Sequence, residues 1–360
     1  MRISLDSMLS EEAGKASPKG FKDGRPFGPE PDPPGAVVRP LHSVLPRPDA
    51  RPPARIGAAL MALRRGRRGE RIAAAREIGD LAIAHGMKIP EAVVPLSVTL
   101  STDKDPAVRQ EAAWSLWKLS DSRAHAPLIR ALLVDGSTRV RERAARALGL
   151  LGANEALPAM LRLLRLEKHI PARLRAGIAC AMGFFASESV LARIEEAALD
   201  PEPYVRYEAV RSLGRFLVGF PEEISDRVLS ILRGYLRPSN EPSASIRQAA
   251  IKAMRFSSCP LANESVARAL TSDPHPAVRE AAAEALLLWK GAASEAALID
   301  ALSDDHWPVR KAAARALARS IKRHGVHDSA RISEALRRLE RMLPAHSHEW
   351  RLAADAFASL

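Results

Sequence analysis

The chain has 360 residues, 47% hydrophobic but only 4% aromatic, so it can bury a long, thin core of Ala and Leu rather than a single bulky one. Its formal charge is +12 with a pI near 10.2, and Arg outnumbers Lys 43 to 11, which points to acidic partners. No apolar run approaches the roughly 18 residues of a membrane span, and the opening MRISLDSMLSEEAG lacks the apolar stretch of an export signal, so a cytoplasmic protein is expected, with Cys180 and Cys259 as reduced thiols.

Residues 1–55 hold 11 of the 27 prolines and lose helical periodicity after about residue 14. They read as an extended or disordered N-terminal arm. Its cluster Val37, Val38, Leu41, Val44 and Leu45 is too apolar for a pure spacer, and is expected to lie against Ile56, Leu60 and Leu63 at the start of the following domain.

From residue 56 to 360 the chain is periodic. An Arg preceded by an apolar residue recurs at Arg109, Arg141, Arg175, Arg206, Arg247, Arg279, Arg310 and Arg351, and Arg71, after Glu70, opens the series. The intervals run 38, 32, 34, 31, 41, 32, 31 and 41 residues. Small residues follow each Arg, then a large apolar one, as in DPAVRQEAAWSL (105–116). Val108, Ala112, Leu116 and Leu119 share one helical stripe, with Asp105-Pro106 as a start signal. Residues 91–100 supply a shorter helix to pack antiparallel against it. Units of this length cannot bury their apolar faces alone, so they must stack. Second helices are expected to begin near residues 69, 106, 138, 172, 203, 244, 276, 308 and 349, giving about nine helix pairs. The loop at 237–245 is the longest irregular join and a candidate bend. Asp103, Asp135, Asp200, Asp273 and Asp304 each stand six residues before an Arg of the series, a spacing that predicts a ladder of charge-assisted bonds between units.

The recurring pattern D-x-x-x-x-V-R-x-x-A-A-x-A-L-G resembles HEAT repeats, in particular the short bacterial and archaeal kind also called phycobilisome-lyase-type. The resemblance implies an all-α fold, an armadillo/HEAT-like α-α superhelix, and says little about activity. Members include adaptors, bilin lyases, a group of DNA glycosylases and a diiron hydroxylase. The hydroxylases use repeated His-Glu pairs, and this chain has one, His348-Glu349. The glycosylases need an acid and aromatics on a basic concave face; Glu111, Trp114 and Trp117 match those residue types without matching a motif.

Five positions after each ladder Arg lies a column opposite the core stripe, on the helix that lines the concave surface in such repeats. Its occupants are Arg76, Trp114, Arg146, Cys180, Arg211, Lys252, Glu284, Arg315 and Ala356. A solvated face of an Arg-rich protein and a partner-binding stripe both fit this column. Trp114 and Trp117 point away from their helix's apolar stripe and favour the second, whereas Trp289 and Trp350 fall on theirs. Arg64, Arg65, Arg67 and Arg68 form a basic loop between the first two helices, suited to phosphate or to carboxylates. The chain contains no phosphate-binding loop, nucleophile elbow, CxxC pair or metal-ligand spacing, and its close histidine pairs, His324 with His327 and His346 with His348, lack a second half. No cofactor is expected. In the last helix (349–360) Trp350, Phe357 and Leu360 belong to an apolar surface that is expected either to fold back on the preceding repeat or to form an interface, as a two-fold homodimer or as a dock for a larger assembly. The reading that results is a non-catalytic adaptor holding an acidic protein or complex through its Arg/Trp concave surface, with DNA or RNA as the alternative ligand.

Overall fold

The computed structural model describes residues 54–324, apart from 87, 166–169, 186, 219, 256, 258 and 290, together with 330, 332–334 and 337. Sixteen α-helices form eight antiparallel pairs among these residues. The pairs are α1 (Ala54–Arg65) with α2 (Arg68–His85), α3 (Pro90–Thr102) with α4 (Pro106–Leu119), α5 (His125–Val134) with α6 (Thr138–Leu151), and α7 (Leu157–Arg165) with α8 (Ala172–Met182). They continue with α9 (Glu188–Ala197) and α10 (Pro203–Leu213), α11 (Glu222–Tyr235) and α12 (Ala244–Met254), α13 (Pro260–Ser272) and α14 (Pro276–Leu286), and α15 (Ala292–Ala301) and α16 (Trp307–His324). We number these pairs as repeats 1–8; odd helices are the A layer and even helices the B layer. The arm at 1–53 and the expected ninth pair lie outside the described residues, which leaves the docking of Val37–Leu45 on the first repeat outside them too. Ile56 and Leu63 are buried and Leu60 is half-buried.

The local chemistry of the starts explains the register. Pro occupies the first turn of α3, α4, α10, α13 and α14, where its missing N–H costs nothing. Asp105 caps α4 by accepting from the Ala107 N–H at 2.8 Å. Gly152 ends α6 in the left-handed conformation at φ 63°. The core is a continuous band of Ala, Leu, Ile and Val; Val108, Ala112 and Leu116 are fully buried, as the stripe predicts.

The B helices pack directly on one another, while most A helices touch their A neighbours only lightly, so the stack curves with the B layer inside. Alanine and glycine permit this approach. A Cβ on Gly149 would stand 2.6 Å from the Ala181 Cα, and one on Gly177 would stand 2.8 Å from the Glu142 Cγ.

The predicted ladder is present and interlocked. Arg109 donates from Nε and Nη2 to both carboxylate oxygens of Asp135 in the next repeat, each at 2.8 Å, and from Nη1 to the Asp103 carbonyl of its own repeat. The same fork joins Arg71 to Asp103, Arg175 to Asp200, Arg247 to Asp273 and Arg279 to Asp304. Each of these aspartates also accepts a backbone N–H two residues on, which fixes the A–B turn; for Asp135 the donor is Ser137. In repeat 6 a glutamate does the same work: Glu241 takes both donors of Arg206 and the Ser243 N–H. The loop at 237–243 is therefore the A–B turn of repeat 6, and the ladder passes through it. Burial pushes the carboxyls of Asp103 and Asp304 up, but their arginines and turn N–H groups outweigh it and hold both below the usual range.

Candidate functional site

The inner surface of the B helices carries the predicted column, and the structure divides it into three stretches. In repeats 1 and 2, Arg76 is exposed and donates to Glu111 at 3.1 Å, and Lys118 donates to Asp80 at 2.6 Å. Trp114 and Trp117 stack at 4.5 Å between ring centroids with a 43° tilt. Both are half-buried rather than free in solvent, and Trp117 packs on the core. The Arg143 guanidinium of repeat 3 lies 4.5 Å over the Trp114 ring.

In repeats 3–5 the column departs from the solvated stripe that the spacing suggests. Arg146 is drawn into a network instead. It donates to Glu142 at 3.3 Å on its own helix, to the Cys180 Sγ at 3.3 Å in repeat 4, and to Tyr204 and Glu208 at 2.8 and 2.7 Å in repeat 5. The reason is the small residue in between. With Cys180 at the column position of α8 and Gly177 one turn earlier, nothing blocks a long side chain from crossing a whole repeat. Glu142 also accepts from Arg173 at 2.9 Å and from the Tyr204 hydroxyl at 3.2 Å, and Glu208 accepts from Arg211 at 3.3 Å.

The electrostatics follow from this shielding. Burial works against the charge on Arg146, but Cys180, Glu208 and Tyr204 outweigh it and hold its pKa above the ordinary value. Burial pushes the Tyr204 hydroxyl up to about 12 and raises the Cys180 thiol above its ordinary value. Each carboxylate oxygen of Glu142 and Glu208 accepts a donor, so neither is placed to act as a base. Two further arginines of repeat 5 lie over aromatic rings: Arg215 at 3.9 Å from the Phe184 centroid and Arg211 at 5.7 Å from that of Tyr207.

In repeats 6–8, Lys252 and Arg315 are exposed, with Glu284 exposed between them. The basic loop sits where expected. Arg64 and Arg65 end α1, Arg67 precedes α2 with its N–H on Glu70, and Arg68 pairs with Asp105. Trp289 is buried and donates its indole N–H to the Ser257 carbonyl at 2.7 Å. Trp350, Phe357 and Leu360 lie outside the described residues. Arg173, Tyr204, Glu142 and Glu208 escaped the sequence reading because they stand off the column; the available signal was the lone small residue, Cys180, between Arg146 and Arg211. Among the described residues no group of three or more His, Cys, Asp or Glu side chains is placed to hold a metal, and no helix is long and apolar enough to cross a membrane.

A family model of HEAT repeats matches residues 93–179, 165–255 and 263–358. A comparison with curated protein sequences gives no match. Among solved structures, that of Kap95p with RanGDP is similar at 15% identity and a TM-score of 0.56, over 85% of this chain and 45% of the other. The complex of CpcE and CpcF of phycocyanin lyase from Nostoc sp. PCC7120 is 19% identical, covering 88% of this chain and 98% of the other with a TM-score of 0.38. Human deoxyhypusine hydroxylase is 20% identical over 75% of this chain and 96% of the other, with a TM-score of 0.34.

Proposed function

The chain belongs to the HEAT-repeat family, and on that premise we propose that it is a non-catalytic cytoplasmic scaffold whose inner surface in repeats 2–5 holds an acidic protein partner. The observation that carries this reading is the set of arginine–aromatic stacks along that surface: Arg143 on Trp114, Arg211 on Tyr207 and Arg215 on Phe184. A guanidinium laid on a ring is already oriented, so it loses little entropy as an acidic surface comes up against its charge. Half-buried Trp and Tyr beside it supply the apolar contact that anchors protein interfaces. The excess of positive charge, +12 over the chain, speeds encounter with an acidic surface. The saturation of Glu142 and Glu208 supports a role without catalysis.

Nucleic acid is the second reading, favoured by the same half-buried Trp114 beside a cation, because such a pair also stacks on a base. Titration with polyglutamate and with a single-stranded oligonucleotide of equal charge separates the two, read by tryptophan fluorescence. The scaffold reading expects tighter polyglutamate binding, weakened about tenfold by Arg143→Glu. Preference for the oligonucleotide, with a log–log salt slope of roughly −0.7 per phosphate contacted, overturns it. So does an Arg143→Glu protein that binds both ligands like the wild type. A homodimer through Trp350, Phe357 and Leu360 is a further part of the proposal. Light scattering of Phe357→Asp checks it, a smaller species than wild type being the expected result and a monomeric wild type the contrary one.

A further inference from the structure

The outer layer carries a feature of opposite sign. Between α9 and α11, the A helices of repeats 5 and 6, lies a hollow of about 370 Å³ walled by Ala198, Leu199, Ile231 and Tyr235. The Tyr235 hydroxyl donates to the Ala198 carbonyl and ties the two walls together. Leu199 is 83% exposed, the most exposed large apolar side chain among the described residues. A leucine standing this far into water at the edge of an apolar hollow is a contact waiting for a partner surface.

Glu195 supplies the polar end of the hollow. Its Oε2 accepts from Arg227, while its Oε1 is buried and has no hydrogen-bond partner. A carboxylate oxygen withdrawn from water without a donor is costly, and a cation brought up beside that carboxylate offsets the cost. The surroundings favour such a cation. In a chain of net charge +12, α9 and α11 together carry six carboxylates against three arginines, and Glu196, Glu222, Glu223 and Asp226 are exposed.

We infer that this hollow docks a basic segment of a second protein partner, one that seats an apolar side chain against Leu199 and Ile231 and sets a lysine or arginine beside the Glu195 carboxylate. The site lies on the opposite layer from the arginine–aromatic stacks and takes a ligand of the opposite charge. One molecule then bridges two partners, an acidic one inside and a basic one outside. This inference stands independently of the inner-face reading.

The test is fluorescence anisotropy with a labelled Lys-Lys-Leu-Lys-Lys-Leu-Lys-Lys peptide at physiological ionic strength. Two control peptides replace each Leu by Ser or each Lys by Glu. The wild type is expected to bind the first peptide with a dissociation constant below about 1 mM, and at least about tenfold more tightly than either control. Leu199→Ser and Glu195→Gln each weaken binding about tenfold, whereas Arg143→Glu leaves it unchanged. Leu199 is exposed, so its replacement leaves folding intact and keeps the test valid even where Glu195→Gln disturbs α9. Absence of binding at that concentration, equal binding of the serine control, or wild-type binding by Leu199→Ser overturns the inference. Self-association of the wild type that Leu199→Ser abolishes also overturns it, by making the occupant a second copy of the chain.

Discussion

Repeats 3–5 and repeats 6–8 share the same ladder and the same alanine-rich core, yet their inner faces are built differently. In repeats 3–5 a single arginine, Arg146, clasps three units together through Glu142, Cys180, Tyr204 and Glu208. In repeats 6–8 the column side chains Lys252, Glu284 and Arg315 face solvent, and the units are tied by the ladder together with neutral bonds such as Gln248 Nε2 to the Ala277 carbonyl at 2.6 Å. The difference teaches that the size of one intervening residue decides whether a periodic cation is a ligand-facing charge or a structural strut. Cys180 makes Arg146 a strut; a large side chain at that place would have turned it outward.

The comparison can be broken most forcefully at the ladder, which both regions share. Arg247 and Asp273 form its most enclosed rung, 3% and 1% exposed, and Arg247→Ala leaves a buried carboxylate uncompensated. A loss of about 3–5 kcal/mol in urea unfolding is expected. The clasp itself comes next. Arg146→Ala should cost about 2–3 kcal/mol, the lower end for a buried charge because the side chain keeps 18% exposure, while Lys252→Ala in the open region should stay within about 0.5 kcal/mol. Equal losses at the two positions would erase the distinction between the regions.

Acid titration tests the ladder along the stack, from repeat 2 to repeat 8. The carboxyls of Asp103 and Asp304 titrate below their ordinary value of 3.8 in the folded chain. Their contribution is therefore present above that value and is lost as the pH falls through the folded one. The melting temperature should drop on going below about pH 4, and Asp304→Asn, less stable at neutral pH, should show a shallower drop. The smallest effect is a kinetic one. Each region contains one thiol, Cys180 buried under the clasp and Cys259 half-buried before α13. Iodoacetamide should modify Cys259 first, and Cys180 only after Arg146→Ala or denaturant opens repeat 4.

Most of the fold was legible in the sequence because its signals are local and repeat. The expected B-helix starts near 106, 138, 172, 203, 244, 276 and 308 match Pro106, Thr138, Ala172, Pro203, Ala244, Pro276 and Trp307 to within one residue. The Asp-to-Arg spacing foretold the ladder, and missed its repeat 6 rung only because Glu241 stands in for aspartate there. The clasp was not legible. A column argument compares each side chain with its neighbours in adjacent units, whereas Arg146 meets Glu208 62 positions away, across an intervening repeat. Reach of that kind depends on what the middle unit lacks, and periodicity does not register an absence. The stacks of Arg143 on Trp114 and Arg215 on Phe184 were hidden for a similar reason, since each pairs two repeats at different register positions.

The ladder has a bearing on how such a chain can change its length. Within a repeat, the residue whose carbonyl receives the arginine Nη1 precedes that arginine by six positions in repeats 2, 5, 6, 7 and 8, and by five in repeats 1 and 4. Between repeats, the arginine and the carboxylate it grips stand 32, 26, 25, 35, 26 and 25 positions apart. Most of the latitude therefore sits in the B helix, the join that follows it and the next A helix, and a single position of it in the A–B turn. Each of these six rungs sets a donor fork of one unit against an acceptor of the next, like couplings on rolling stock. A unit that carries both an acceptor and a fork, as repeats 2, 5, 6 and 7 do, can be duplicated with each copied fork still finding a carboxylate, whereas a residue inserted between its acid and its arginine alters the turn that the Nη1 bond closes.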